Sequence, residues 1–180
     1  MFDPSKVQYL VGSSLSPDWQ NQVISAISRM TLRYPGIMLP KTPEQIAVQL
    51  DIRGTVVAGL IDYRQFTFVG FVTLWNLGIS NVLELGTLGV LEKYQGHKIG
   101  TELVQRSIQY NGQHLIIATA KTAKAITALI NGGMAMWDIE SLPIEVRQAT
   151  CCCTNPGEGG IQCPLANGKC RLLTANWSKK

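Results

Sequence analysis

The chain has 180 residues, 46% of them hydrophobic and 16% charged, with a formal net charge of +4. That length and balance suit one domain with a full core over residues 1–180. The modest positive charge favours an anionic cofactor but lacks the dense Lys/Arg patches with interleaved aromatics of a nucleic-acid surface, and no apolar run reaches the about 18 residues needed to span a bilayer.

Residues 1–6 carry neither a basic leader nor an apolar segment, so no secretory signal and a cytoplasmic setting are expected. Residues 7–11 read as a short strand. Ser16-Pro17-Asp18 has the form of a helix start, with serine as cap and proline in the first turn. Trp19, Val23, Ile27 and Met30 then recur at helical spacing, which gives that helix one buried face. Residues 34–40 contain two prolines and are expected to form a loop. Thr42 and Gln45 stand at capping-box spacing ahead of Ile46 and Leu50, a second helix start.

From Thr55 the character changes. Residues 55–61 and 67–75 are rich in β-branched and aromatic side chains, and the interval between them is short enough for a hairpin. A polar turn at 76–81 leads to a third strand over 82–90, so an antiparallel meander is expected.

The meander runs into Leu88-Gly89-Val90-Leu91-Glu92-Lys93-Tyr94-Gln95-Gly96-His97-Lys98-Ile99-Gly100-Thr101-Glu102-Leu103. This stretch begins as an apolar strand, crosses a polar turn and continues as an amphipathic helix with Ile99, Leu103, Val104 and Ile108 on one face. Such a junction makes an anion site. Glycines let backbone approach a ligand, the first-turn N–H groups have no partner within the helix, and the helix dipole adds partial positive charge. Lys98 and a protonated His97 add charge at the same mouth. A P-loop would need Ser or Thr after Gly-Lys, and a dinucleotide fingerprint would need three glycines and a later acid; neither is present.

Residues 113–120 hold a Leu115-Ile116-Ile117-Ala118 core, a buried strand reached through a helical crossover and hence parallel to the one before it. A helix is expected over 122–131, ended by Gly132 and Gly133, and a last strand over 171–175. All five cysteines fall in the tail: Cys151, Cys152, Cys153, Cys163 and Cys170, in a Gly- and Pro-containing segment over 151–170. A zinc or iron–sulfur site, a disulfide and free thiols beside the last strand all stay open. Strong zinc motifs pair ligands on both sides, whereas here only the first side has neighbours, so no metal ligand is assigned.

The run Gln95-Gly96-His97-Lys98-Ile99-Gly100 resembles the acetyl-CoA-binding segment of the GNAT superfamily of N-acetyltransferases. There a strand leads into Gln or Arg, two variable residues, Gly, one variable residue, then Gly or Ala. Lys98 stands where the family usually has its first glycine. A second segment keeps the family's spacing of Asn, Ala and an aromatic, commonly Tyr, before Gly and an apolar residue; here these are Thr122, Ala125, Leu129, Gly133 and Met134. Both polar members are changed. The family's tyrosine, where present, can protonate the departing CoA thiolate, and Leu129 cannot.

The resemblance implies an α/β (α+β) GNAT fold, a mixed, mostly antiparallel central sheet of about six or seven strands flanked by helices. It implies acetyl-CoA as cosubstrate, no metal, and a small-molecule or peptide amine as acceptor, with neither nucleic acid nor membrane as partner; a homodimer stays open. Backbone N–H groups around Leu88, Gly89 and Val90 would hold the pantetheine and thioester carbonyl. Those of Gln95, Gly96, His97, Lys98, Ile99 and Gly100, with the Thr101 hydroxyl, would hold the pyrophosphate, and Thr122 joins the cofactor set. Residues 34–40 would help choose the acceptor.

Acetyl transfer needs a neutral amine and donors for the developing oxyanion. Glu84 is the leading candidate base. Alternation puts it on the face of Val82, Leu88 and Val90 if no bulge intervenes, and an acid among apolar neighbours is a candidate for a raised pKa. Some family members carry a base glutamate eleven residues before the motif's Gln or Arg, as Glu84 stands before Gln95. The other reading has Glu84 facing solvent near an open strand end. His97 is expected on phosphate or solvent rather than as a base and His114 satisfying a backbone group, while Trp75 and Asn76 end a strand on a candidate acceptor side, with core packing the simpler account of the tryptophan. Asn176-Trp177-Ser178 fits a glycosylation pattern that carries no weight without a secretory signal. Two functions stay open: an N-acetyltransferase, or a module that binds acyl-CoA as a sensor or interaction domain.

Overall fold

Local signals set where the elements begin in the computed structural model, which describes residues 2–34, 37–149 and 170–176. After strand β1 (Val7–Val11), the Ser16 hydroxyl oxygen accepts from the Trp19 N–H at 3.4 Å, and Pro17 opens helix α1 (Pro17–Arg33), where its missing N–H is not needed. Helix α2 (Pro43–Asp51) begins with the expected reciprocal box. Gln45 N–H donates to the Thr42 hydroxyl at 3.3 Å, and Thr42 N–H to the Gln45 side chain at 3.0 Å. Val23, Ile27, Ile46 and Leu50 face Phe66, Phe68 and Phe71 of the sheet, and burying each such side chain contributes about 1.5–3 kcal/mol.

Strands β2 (Val56–Asp62), β3 (Gln65–Asn76) and β4 (Val82–Val90) continue from β1 as an antiparallel meander. Helix α3 (Ile99–Tyr110) carries the chain across to β5 (Leu115–Ala120), which lies parallel to β4 as expected. Helix α4 (Ala123–Asn131) ends at Gly132 and Gly133, the latter with φ +106°, and leads to the two-residue strand β6 (Ala135–Met136) and the short helix α5 (Ile144–Ala149). The last strand, β7 (Arg171–Ala175), enters between β5 and β6. The result is a mixed, mostly antiparallel sheet of seven strands in the order β1-β2-β3-β4-β5-β7-β6. Helices α3 and α4 cover one face, where Leu103, Val104 and Leu129 meet Val72, Leu74, Leu83 and Leu85. Helices α1 and α2 cover the other, and α5 extends that cover over Val82, Ile117 and Leu172.

Two irregularities in β4 position the groups along it. Thr73 pairs with Thr87 while Leu74 pairs with Leu85, so Gly86 is an extra residue, a β-bulge. The bulge reverses the alternation beyond it. The expectation that Glu84 shares a face with Leu88 and Val90 is therefore corrected: Glu84 stays with Val82 on the α1/α2 side, whereas Leu88 and Val90 join the core beneath α3 and α4. The second irregularity is that β4 and β5 pair at only three positions, Val82↔Leu115, Leu83↔Ile116 and Glu84↔Ile117. Beyond Glu84, that edge of β4 has no strand beside it among the described residues, so its backbone donors and acceptors are open to a guest.

A further correction concerns His114. Its ring Nδ1 is buried without a hydrogen-bond partner, and it is the His114 carbonyl that accepts, from Asn176 Nδ2 at 3.2 Å. Cys151, Cys152, Cys153 and Cys163, and Trp177 and Ser178 of the glycosylation pattern, lie outside the described residues. Among the described residues no His, Cys, Asp and Glu group is placed to hold a metal ion, and no helix is long and apolar enough to cross a membrane.

Candidate active site

The mouth of α3 is built by backbone. A 3-10 turn (Glu92–Tyr94) follows β4, Gly96 adopts φ +87°, and Lys98 precedes the first helical residue with φ +61° and ψ 9°. That left-handed conformation is natural to glycine and costs a side-chain-bearing residue about 1–2 kcal/mol. The chain thus keeps at Lys98 the backbone shape that a glycine would supply. No side chain caps α3, which leaves the amides of Ile99, Gly100 and Thr101 without an acceptor from that source. Thr101 is half-buried in the same turn, while the Ile99 side chain is buried in the core and contributes only its amide. A Cβ on Gly100 would lie 3.6 Å from Ala128 Cβ and 3.8 Å from Val90 Cγ2, ordinary contacts, so the protein's own packing does not demand glycine there.

The neighbouring side chains have structural tasks. Gln95 donates through Nε2 to the Val90 carbonyl at 3.0 Å and accepts from Lys124 Nζ at 3.4 Å, which ties the end of β4 to α4. The Thr122 hydroxyl accepts from Ala125 N–H at 3.2 Å and caps α4. The exposed His97 ring meets Phe2 edge-on with centroids 4.9 Å apart, and Phe2 also packs against Tyr94 at 4.8 Å, so the start of the chain braces the turn. At Gly89 a Cβ would run into Met30 and Phe71; this glycine lets α1 sit close on β4. The structure therefore brings Leu88 to Val90 and Gln95 to Thr101 to one end of the sheet, next to α4, with Thr122 at the head of that helix.

Glu84 lies further back along β4, at the last position where β4 and β5 pair. It is half-buried, and burial pushes its carboxyl up to about 7, against the pull of the Lys41 ammonium. Its cross-strand partner is Trp75, whose indole lies where a Cβ of Gly86 would be. Over that indole, 4.3 Å from the ring centroid, sits Lys41 Nζ. Lys41 is only 8% exposed, and burial lowers its amine to about 8, with Glu84 acting the other way. Its backbone is fixed by a 3.2 Å bond from Lys41 N–H to the Thr31 hydroxyl and a 3.4 Å bond from the Ser28 hydroxyl to its carbonyl. Sequence reasoning missed Lys41. It stands between two proline-bearing turns without periodicity, and only the folded sheet brings it to Glu84. Trp75, expected in the core, is half-buried beside the acid instead.

The chemistry open to this arrangement is that of a base near neutrality beside an unpaired strand edge, with an anion-binding helix mouth at the other end of that edge. Leu129 is a hydrocarbon side chain, 2% exposed within the core under α4, and offers no proton donor.

Comparison with known proteins agrees with this geometry. The description "Acetyltransferase (GNAT) family" matches residues 31–129. No curated protein matches the chain. Among solved structures it is similar to N-acetylglutamate synthase from Neisseria gonorrhoeae in complex with coenzyme A and N-acetyl-glutamate, at 17% identity and a TM-score of 0.62 over 94% of this chain and 34% of that one. The chain thus spans about a third of that enzyme. It is also similar to the PaiA N-acetyltransferase from Thermoplasma acidophilum in complex with coenzyme A (13% identity, TM-score 0.57, 95% and 99% of the two chains). A third similar structure is Tetrahymena GCN5 (14% identity, TM-score 0.55, 96% and 98%). With the family description matching more than half of the 180 residues on a sheet of this topology, the chain belongs to the GNAT family of acetyltransferases.

Proposed function

We propose that the chain is an N-acetyltransferase that moves an acetyl group from acetyl-CoA to a primary amine by direct attack within a ternary complex. One observation carries this reading: an acid with a carboxyl pushed up to about 7 stands where β4 and β5 stop pairing. A base poised near the working pH has the largest effect on proton transfer. Acetyl-CoA supplies a thioester carbonyl with a thiolate leaving group. Glu84 takes the proton that the acceptor amine must lose as its C–N bond forms and the C–S bond breaks. The open edge of β4 around Leu88, Gly89 and Val90 offers amides to the pantetheine arm. The uncapped turn Gln95, Gly96, His97, Lys98, Ile99, Gly100 and Thr101 offers amides and charge to the pyrophosphate. Gln95 and Thr122 shape that seat, through the end of β4 and the head of α4. Residues 1–180 form one such domain, and residues 151–170 carry its cysteine-rich part.

Thiol release from acetyl-CoA across a panel of primary amines tests the proposal. The expected result is turnover with at least one amine and a loss of about 10²-fold or more in kcat/KM for Glu84→Gln. The buried Leu129 favours one second reading, a module that binds acyl-CoA without turning it over. Tight CoA binding with no thiol release for any acceptor would select it.

A further inference from the structure

Lys41 is the feature that the transfer reaction does not use. An ammonium on a largely buried side chain loses part of its hydration, which is costly unless something compensates its charge. Lys41 is 8% exposed, yet no carboxylate among the described residues meets it as an ion pair. The Trp75 ring offers about 0.5–2 kcal/mol of cation–π attraction, and Lys41 Nζ is not among the fully buried polar atoms, so the ammonium stays reachable by a guest. Glu84 acts on it through space without contact. Acid, indole and ammonium therefore lie along one face of the sheet, with Trp75 paired to Glu84 across the strands and Lys41 over Trp75. The bulge at Gly86 leaves room for the indole between them. The two opposite charges are close enough to feel each other and still free to take partners.

We propose that the acceptor is a zwitterionic primary amine, an α-amino acid or a close relative with a carboxylate beside the amine, and that Lys41 recognises the carboxylate while Glu84 faces the amine. This deepens the transferase reading and rests on it. The charge pattern separates acceptor classes. A polyamine would bring a second cation toward Lys41, and a simple alkylamine would leave the ammonium uncompensated. A zwitterion satisfies both ends at once, with the Trp75 face available to its side chain. Specificity of this kind comes as much from what the site repels as from what it holds.

The test compares matched acceptors on the full chain. Leucine, phenylalanine, methionine, glutamate and lysine are set against their decarboxylated amines and their primary amides, with spermidine included, and kcat/KM is read from thiol release. The amino acids are expected to be preferred over their decarboxylated amines. In Lys41→Met that preference is expected to fall by about 10- to 100-fold, mainly through KM, the scale of one charge-assisted hydrogen bond. Lys41→Arg, which keeps the charge, is expected to recover part of it, and a cooperative thermal transition verifies that each variant is folded. A wild-type preference for decarboxylated amines or spermidine overturns the inference and leaves the transferase reading standing. An equal loss for both classes in Lys41→Met also overturns it, because that is the mark of a structural role. Absence of turnover with every amine removes both.

Discussion

The indole of Trp75 occupies the space that a Cβ on Gly86 would fill, so the bulge in β4 and the tryptophan on β3 fit each other. Adding one methyl forces the ring to move. Gly86→Ala is expected to destabilise the fold by about 1–3 kcal/mol, the usual cost of overpacking, and to lower acetyl transfer by shifting the surroundings of Glu84 and Lys41. Urea denaturation measures the first and thiol release the second. A variant as stable and as active as the parent would mean that the ring moves aside freely.

Burial holds the Glu84 carboxyl at about 7, so a base in this position is half-ionised near neutrality and fully ionised only above it. The pH profile of kcat/KM is expected to rise through about 7 and, for acceptors that carry a carboxylate, to fall again through about 8 as Lys41 loses its proton. The Lys41 ammonium pulls that value down, and Lys41→Met is expected to move the rise to higher pH. Stability gives an independent check. The folded pKa lies above the ordinary carboxyl value of 4.5, so the protonated acid favours the fold, and this contribution declines as pH rises from about 4.5 through about 7. Glu84→Gln should flatten that decline. Profiles of rate and of Tm that are identical in parent and variant would remove Glu84 from both roles.

Lys98 carries a side chain through a conformation suited to glycine, φ +61°. Relieving it should stabilise the chain. Lys98→Gly is expected to exceed Lys98→Ala in stability by about 1 kcal/mol, because both lose the charge and only glycine loses the strain. Chemical denaturation of the two variants measures the difference, and equal midpoints would contradict it. Both should bind CoA more weakly than the parent, since both lack the ammonium at the helix mouth.

The range over which each signal acts decides how legible it is in the sequence. The cap at Ser16, the box at Thr42 and Gln45 and the alternating runs around Phe68 and Val82 are local, and the elements form where those residues say. The bulge is local too, but a glycine at 86 among strand residues does not reveal which neighbour will lie over it, and the face of Glu84 turned on that. Lys41 reaches Glu84 only through the packing of α1 and α2 on the sheet. Strand β7 enters between β5 and β6, an insertion that no pattern within residues 171–175 could announce, and β6 and α5 are too short for periodicity to register. At the helix mouth, resemblance located the turn, whereas the left-handed backbone of Lys98 shows only in the folded chain.

Gly100 separates what the fold requires from what the cofactor would require. A Cβ there makes only ordinary contacts with Ala128 and Val90, so Gly100→Ala is expected to fold as well as the parent, with a gain of up to about 1 kcal/mol from lower chain entropy, and to keep CoA binding. Gly100→Trp places a large ring at the same mouth, next to the uncapped amides of the first turn. It is expected to abolish measurable binding of coenzyme A by calorimetry while the alanine variant retains it. Because the alanine variant controls for the backbone, a folded tryptophan variant that still binds with parental affinity would move the pyrophosphate away from α3, and with it the alignment of the thioester along β4 toward Glu84.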